Sequence, residues 1–250
     1  MGWLLFILVV VVGYVAGVGF TLAARRFEVG TAEDDPLAGV KLTGIYTLFA
    51  VILGFVVFSS WQFYLEASDS VRQEAAAIAV VNRSARSLPA NLGEPVANAL
   101  ADYVIEASGQ DWTDLRHHIP TSDGHVALEQ LNRAITNLPA GQSASISNAQ
   151  NTMMYYLGQI ESSRADRVFF SEDADPEFVW ALLAIGGLVT IGLSATLHFR
   201  SKWVHAQMVG AVSAVIAASL FTVYALNHPY TGPFPVTAQP LTLALQVIKS

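Results

Sequence analysis

The chain has 250 residues, of which 53% are hydrophobic and only 13% charged, with a net charge of −7. Soluble domains carry about 25% charged residues, so this composition points to lipid. The absence of cysteine excludes disulfides, thiolate metal centres and cysteine nucleophiles.

Four uncharged apolar runs, 3–24, 43–65, 178–199 and 204–226, are long enough to cross about 30 Å of hydrocarbon at about 1.5 Å per residue. The first reads as an uncleaved span. It has no basic segment before it, it is too long for a signal peptide, and Arg25-Arg26 follows it. The opening "MGWLLF" carries Phe6 where a myristoylation site needs Ser or Thr. Gly13 and Gly17 form a GxxxG pair, the spacing that lets helix backbones approach closely in lipid.

The second run carries a stripe of Thr43, Thr47, Ala50, Gly54, Phe58 and Trp61. Small and hydroxyl positions ending in aromatics fit a narrow pore with an apolar constriction, and Thr43, Thr47, Gly54 and Phe58 are its candidate lining. Trp61 also fits an anchor at the membrane interface.

Residues 66–177 form an extramembrane domain with sixteen acids against seven arginines and no lysine, a net charge of −9. So acidic a surface excludes nucleic acid as a partner. From Ala67 the positions Ala67, Val71, Glu74, Ile78, Val81, Ala85 and Leu88 step by four and three, and Pro89 ends the helix. A second seam runs Ile146, Gln150, Met153, Leu157, Ile160, Arg164 and Arg167. Two weaker helices, 94–107 and 125–137, lie between them. Glu74 is the one charged residue on the first seam, and Arg164 and Arg167 are the charged residues on the second. If the two helices run antiparallel, all three heads meet as a partly buried structural ion pair that fixes register. Glu74→Gln should then loosen the bundle, and reversing the charges together should restore it.

"DWTDLRHHIPTSDGH" gathers Asp114, His117, His118, Asp123 and His125, but the spacing fits no metal template and reads as a solvated loop. No nucleophile–base arrangement, phosphate loop or paired catalytic carboxylates stand out, so the chain does not read as an enzyme and implies no cofactor. Asp175, Pro176 and Glu177 read as N-cap, N1 and first-turn acid of the third span. Gly186, Gly187, Gly192 and Ser194 in that span, and Gly210, Ala214 and Ala218 in the fourth, are further close-packing positions. After the fourth span, 227–240 is a Pro-rich turn at headgroup level, with Tyr230 and Phe234 as interface anchors. Residues 241–248 then lie flat on the membrane or dock on a neighbour.

The expected architecture is all-α: a transmembrane hairpin over 1–65, a helical extramembrane domain over 66–177, a second hairpin over 178–226, and a turn with a short helix over 227–250. The short loops hold Arg25, Arg26, Lys41, Arg200 and Lys202, which puts them on the cytoplasmic side and the termini and helical domain on the outer side of the cell membrane.

The segments "FAVILGFVVFSSWQFY", "QEAAAIAVVNRSARSLP", "ADYVIEASGQDW", "SSRADRVFF" and "NHPYTGPFPVTAQPL" follow one another in the chain. In that order they resemble a family of bacterial and plant membrane proteins labelled bestrophin-like. The resemblance spans about 40–243. It marks Trp61, Glu74, Leu88-Pro89, Tyr103, Trp112, Arg164, Arg167, Pro229, Gly232 and Phe234, with Asp111 as the acid before the tryptophan. By label it implies an anion channel. The residues themselves favour a homo-oligomeric channel for an inorganic ion. A domain of charge −9 over its mouth would concentrate cations. A membrane scaffold or sensor that binds a partner through its helical domain is the alternative.

Overall fold

A computed structural model describes residues 2–26, 36–117, 119, 123–139, 141, 143–171, 177–196 and 201–249. The described residues are 89% helical, with no strand among them. The helices are α1 Gly2–Arg26, α2 Pro36–Arg86, α3 Ala90–Ser108, α4 Gln110–Arg116, α5 Asp123–Thr136, α6 Ala144–Phe169, α7 Glu177–Thr196, α8 Lys202–Asn227 and α9 Gln239–Lys249. Four of them, α1, α2, α7 and α8, are long and apolar enough to cross a membrane. At 51 residues, α2 far exceeds the roughly 20 that hydrocarbon requires. The proposed N-cap and N1 residues of α7, Asp175 and Pro176, lie outside the described residues, as do the side chains of Arg25, Arg26, Lys41 and Arg200.

The chain divides into two compact units. The first comprises Met1–Phe63, Asp173–His228 and Gly232–Phe234. Its close packing follows the glycines. A Cβ at Gly13 would stand 2.7 Å from the Ala217 Cβ, and one at Gly210 would stand 2.7 Å from Val18 Cγ2. The GxxxG pair of α1 therefore seats α8 within one chain, leaving no room for a second helix on that face. On α2, Phe49 lays its ring against Gly186 of α7, and Ser194 Oγ donates to Tyr46 Oη at 3.1 Å. Ser201 caps α8, and a ring nitrogen of His205 lies 2.9 Å from the Ser194 carbonyl in the last turn of α7. Gly232 closes the turn after α8: its N–H donates to the His228 carbonyl at 2.8 Å, and a Cβ there would meet the same oxygen at 2.5 Å.

The second unit comprises Tyr64–Glu172, Pro229–Thr231 and Pro235–Ser250. All seven positions of the first seam are buried, as are Ile146, Met153, Leu157, Ile160 and Arg167 of the second. Val96, Leu100, Tyr103 and Val104 of α3 and Leu131 and Ile135 of α5 complete the core. Pro89, with extended backbone, stands directly before α3, so that helix starts at Ala90 rather than at the expected 94. Gly109 then separates α3 from α4, a seven-residue helix the periodicity does not reveal. Instead of lying flat or reaching a neighbour, α9 buries Leu241, Ala244 and Ile248 within its own unit. Arg86 donates to the Ile248 carbonyl at 2.7 Å, capping the C-terminal turn of α9.

Candidate functional site

Two features carry functional information, one in each unit. In the second unit the two seams bring a buried charge cluster together. Arg167 Nε lies 3.3 Å from Glu74 Oε2, and its terminal nitrogens reach Asp111 Oδ2 at 3.3 Å and donate to the Ala107 carbonyl at 3.1 Å. Arg164 forks onto Asp111, with Nη2 at 3.0 Å from Oδ1 and Nε at 3.3 Å from Oδ2. Tyr103 donates its hydroxyl to Glu74 Oε1 at 2.6 Å. The Arg167 guanidinium also stands 5.5 Å over the Trp112 ring, whose other neighbour is Tyr230 in an edge-on contact. Glu74 and Arg167 are 0% and 1% exposed, so no solvent shares their charge.

The partners differ from the expectation in one respect. Arg164 pairs with Asp111 of α4, not with Glu74. Asp111 is the hub, because its carboxylate has room for two arginines while Glu74 spends one oxygen on Tyr103. A Cβ on Gly124 would stand 2.8 Å from the Asp111 carboxyl carbon, so the first turn of α5 also presses on this acid. The contact between Glu74 Oε2 and Arg167 Nε is slanted, and neither atom completes a hydrogen bond there. Burial accordingly raises the Glu74 carboxyl above its ordinary value, with Arg167 and the Tyr103 hydroxyl opposing. Burial likewise pushes the Tyr103 hydroxyl well above the usual tyrosine range, with the Glu74 carboxylate adding to it. These groups form a neutral set of two acids and two arginines that locks α2, α3, α4 and α6 together.

In the first unit the candidate pore stripe is open. Thr43, Thr47, Ala50, Gly54, Phe58 and Trp61 are all exposed. Gly54 follows the packed Phe49 by five residues, about 140° around the helix, so the stripe turns away from the face that meets α7. A Cβ on Gly54 would meet nothing within 4 Å. Phe58, 62% exposed, is the bulkiest group among the proposed lining residues.

The aromatic anchors separate. Trp61 is 47% exposed. Phe234 stacks edge-on against Trp3 at 5.3 Å. Tyr230 is a correction: at 1% exposure it cannot sit among headgroups. Its hydroxyl donates to the Ala67 carbonyl at 3.1 Å, and burial pushes its pKa up to about 12. An aromatic residue following an apolar run reads as a membrane anchor, but here the polar end finds a protein carbonyl. No group of three or more metal-ligating side chains occurs among the described residues. Gln110 donates to Asp114, and His125 faces Glu129 at 3.6 Å, while His118 and the Asp123 side chain lie outside the described residues.

The sequence profile of the Bestrophin-like domain matches residues 9–241. Among solved structures, a point mutant of a bacterial bestrophin homologue from Klebsiella pneumoniae superposes with a TM-score of 0.67 at 14% identity, covering 98% of this chain and 97% of that one. The same Klebsiella homologue solved by zinc phasing gives a TM-score of 0.63 at 15% identity, over 98% and 95% of the two chains. A mutant membrane protein of similar fold gives 0.65 at 13% identity, over 97% and 95%. No curated protein sequence matches the chain. With nearly its whole length matched by the family profile, the chain belongs to the bestrophin-like family of membrane proteins.

Proposed function

We propose that the chain forms an oligomeric ion channel, with the membrane segment of α2 lining the path. The observation that carries this reading is the open face of α2. Thr43, Thr47, Gly54 and Phe58 are exposed although the opposite side of the helix is packed. Hydroxyl and small positions leave a wettable bore, and a ring of Phe58 side chains from several copies would close it by dewetting. Ions need no charged residue in the spans for this, and none of the four apolar runs contains one. Family membership adds the expectation of a channel.

Selectivity follows from charge. The buried cluster takes in two acids and two arginines together, so the rest of residues 66–177 keeps the net charge of −9. Such a field at a pore mouth enriches cations. By the same charge logic, the basic residues of the short loops put this acidic unit on the outer side of the cell membrane. Purified protein in planar bilayers under asymmetric salt tests both points. A reversal potential shifted towards the cation equilibrium supports the reading, and an anion-selective current overturns the selectivity. A monomer without current leaves the partner-binding scaffold instead.

A further inference from the structure

A groove of about 470 Å³ lies in the second unit. One wall is α2, which contributes Tyr64, Ser68 and Arg72 at four-residue steps; the other contributes Val236, Thr237 and Leu243. Tyr64 belongs to the last apolar turn of α2. Ser68 and Arg72 stand about 6 and 12 Å further along the axis. The headgroup layer extends about 5–8 Å beyond the hydrocarbon, and an arginine can bend its head back towards it. Read outward, the wall therefore offers an aromatic ring, a hydroxyl and a guanidinium, the order in which a lipid presents acyl chain, glycerol ester and phosphate. Leu243, 51% exposed, supplies apolar surface opposite them.

Arg72 is available for a ligand. Its contact with Asp69, at 3.1 Å, joins two side chains more than half exposed. Such pairs contribute about 0–1 kcal/mol, so a phosphate can take the guanidinium's free edge. The surrounding domain carries −9 and repels anionic headgroups. We propose that the groove binds one zwitterionic membrane phospholipid, with its phosphate on Arg72.

The test uses the full chain, relipidated with vesicles of equal phosphatidylethanolamine and phosphatidylglycerol, then extracted in mild detergent for native mass spectrometry. The wild type should retain phosphatidylethanolamine preferentially. Arg72→Ala should weaken that retention about tenfold, the loss of one charge-assisted contact. Leu243→Trp, which fills the groove and leaves Arg72 in place, should weaken it as well. Both residues are exposed, so neither variant threatens folding. Retention equal to wild type in Arg72→Ala overturns the proposal, as does displacement of the lipid by inorganic phosphate. A change of oligomeric mass in place of lipid loss also overturns it, since it would make the groove a contact between copies.

Discussion

Replacing Arg167 with methionine tests the buried cluster at its centre. Methionine keeps most of the aliphatic length but removes the cation that faces Glu74, Asp111 and the Ala107 carbonyl. Asp111 retains Arg164, so one acid stays neutralised. Glu74 is left fully buried with only the Tyr103 hydroxyl in contact. An orphaned buried charge of this kind costs about 3–5 kcal/mol. For a chain of this size that lowers Tm by about 6–20 °C. The assay is thermal unfolding of the purified chain in detergent, read by tryptophan fluorescence. Adding Glu74→Gln to Arg167→Met removes the orphan and should recover about 2 kcal/mol of the loss. A single and a double variant that melt together would refute the reasoning, because the damage would then come from lost packing. The structure also revises the charge-reversal expectation. A carboxylate at position 167 would face Asp111 at close range, so reversing the charges of Glu74 and Arg167 together should fail to restore stability.

Glu74→Gln alone should cost less than Arg167→Met, because Arg167 keeps Asp111 and a carbonyl. The Glu74 carboxyl is raised on folding, so its contribution is full below its ordinary value of 4.5 and is lost as pH rises through the folded value. The wild-type Tm should therefore fall more than that of Glu74→Gln as pH is raised across this window, and parallel curves would contradict the shift. Gly124→Ala should cost about 1–3 kcal/mol in chemical unfolding, since its methyl would press on an Asp111 carboxylate held by two arginines. Gly17→Leu should lower Tm by driving a side chain into Ser213 of α8, whereas Gly19→Leu, with open space around its Cβ, should be tolerated. Equal effects at positions 17 and 19 would contradict the α1–α8 packing.

The four-and-three step of residues 67–88 marked positions that are buried without exception, because a long helix against a core leaves a periodic trace. The same periodicity placed Glu74 and Arg167 on facing seams. It could not place Asp111, whose helix of seven residues carries only Trp112 and Leu115 into the core, too few to define a period. Its partners, moreover, are 53 and 56 residues away in the chain. The family resemblance alone marks that acid. Tyr230 shows the opposite failure. Local composition suggested lipid, and a carbonyl 163 residues earlier in the chain decided its position. The glycines differ by spacing: Gly13, in a GxxxG pair, is filled by α8, whereas a Cβ at Gly54, on the α2 stripe, would meet nothing within 4 Å.

The central claim is that the open stripe of α2 lines the conducting path, and cysteine accessibility tests it most directly. The native chain has no cysteine, so single cysteines at Thr47, Gly54 and Phe49 can be probed without background. In reconstituted bilayers, a charged water-soluble thiol reagent should change the current through the first two variants and leave the Phe49 variant untouched. Modification at Phe49 alone, with Thr47 and Gly54 inert, would contradict the account.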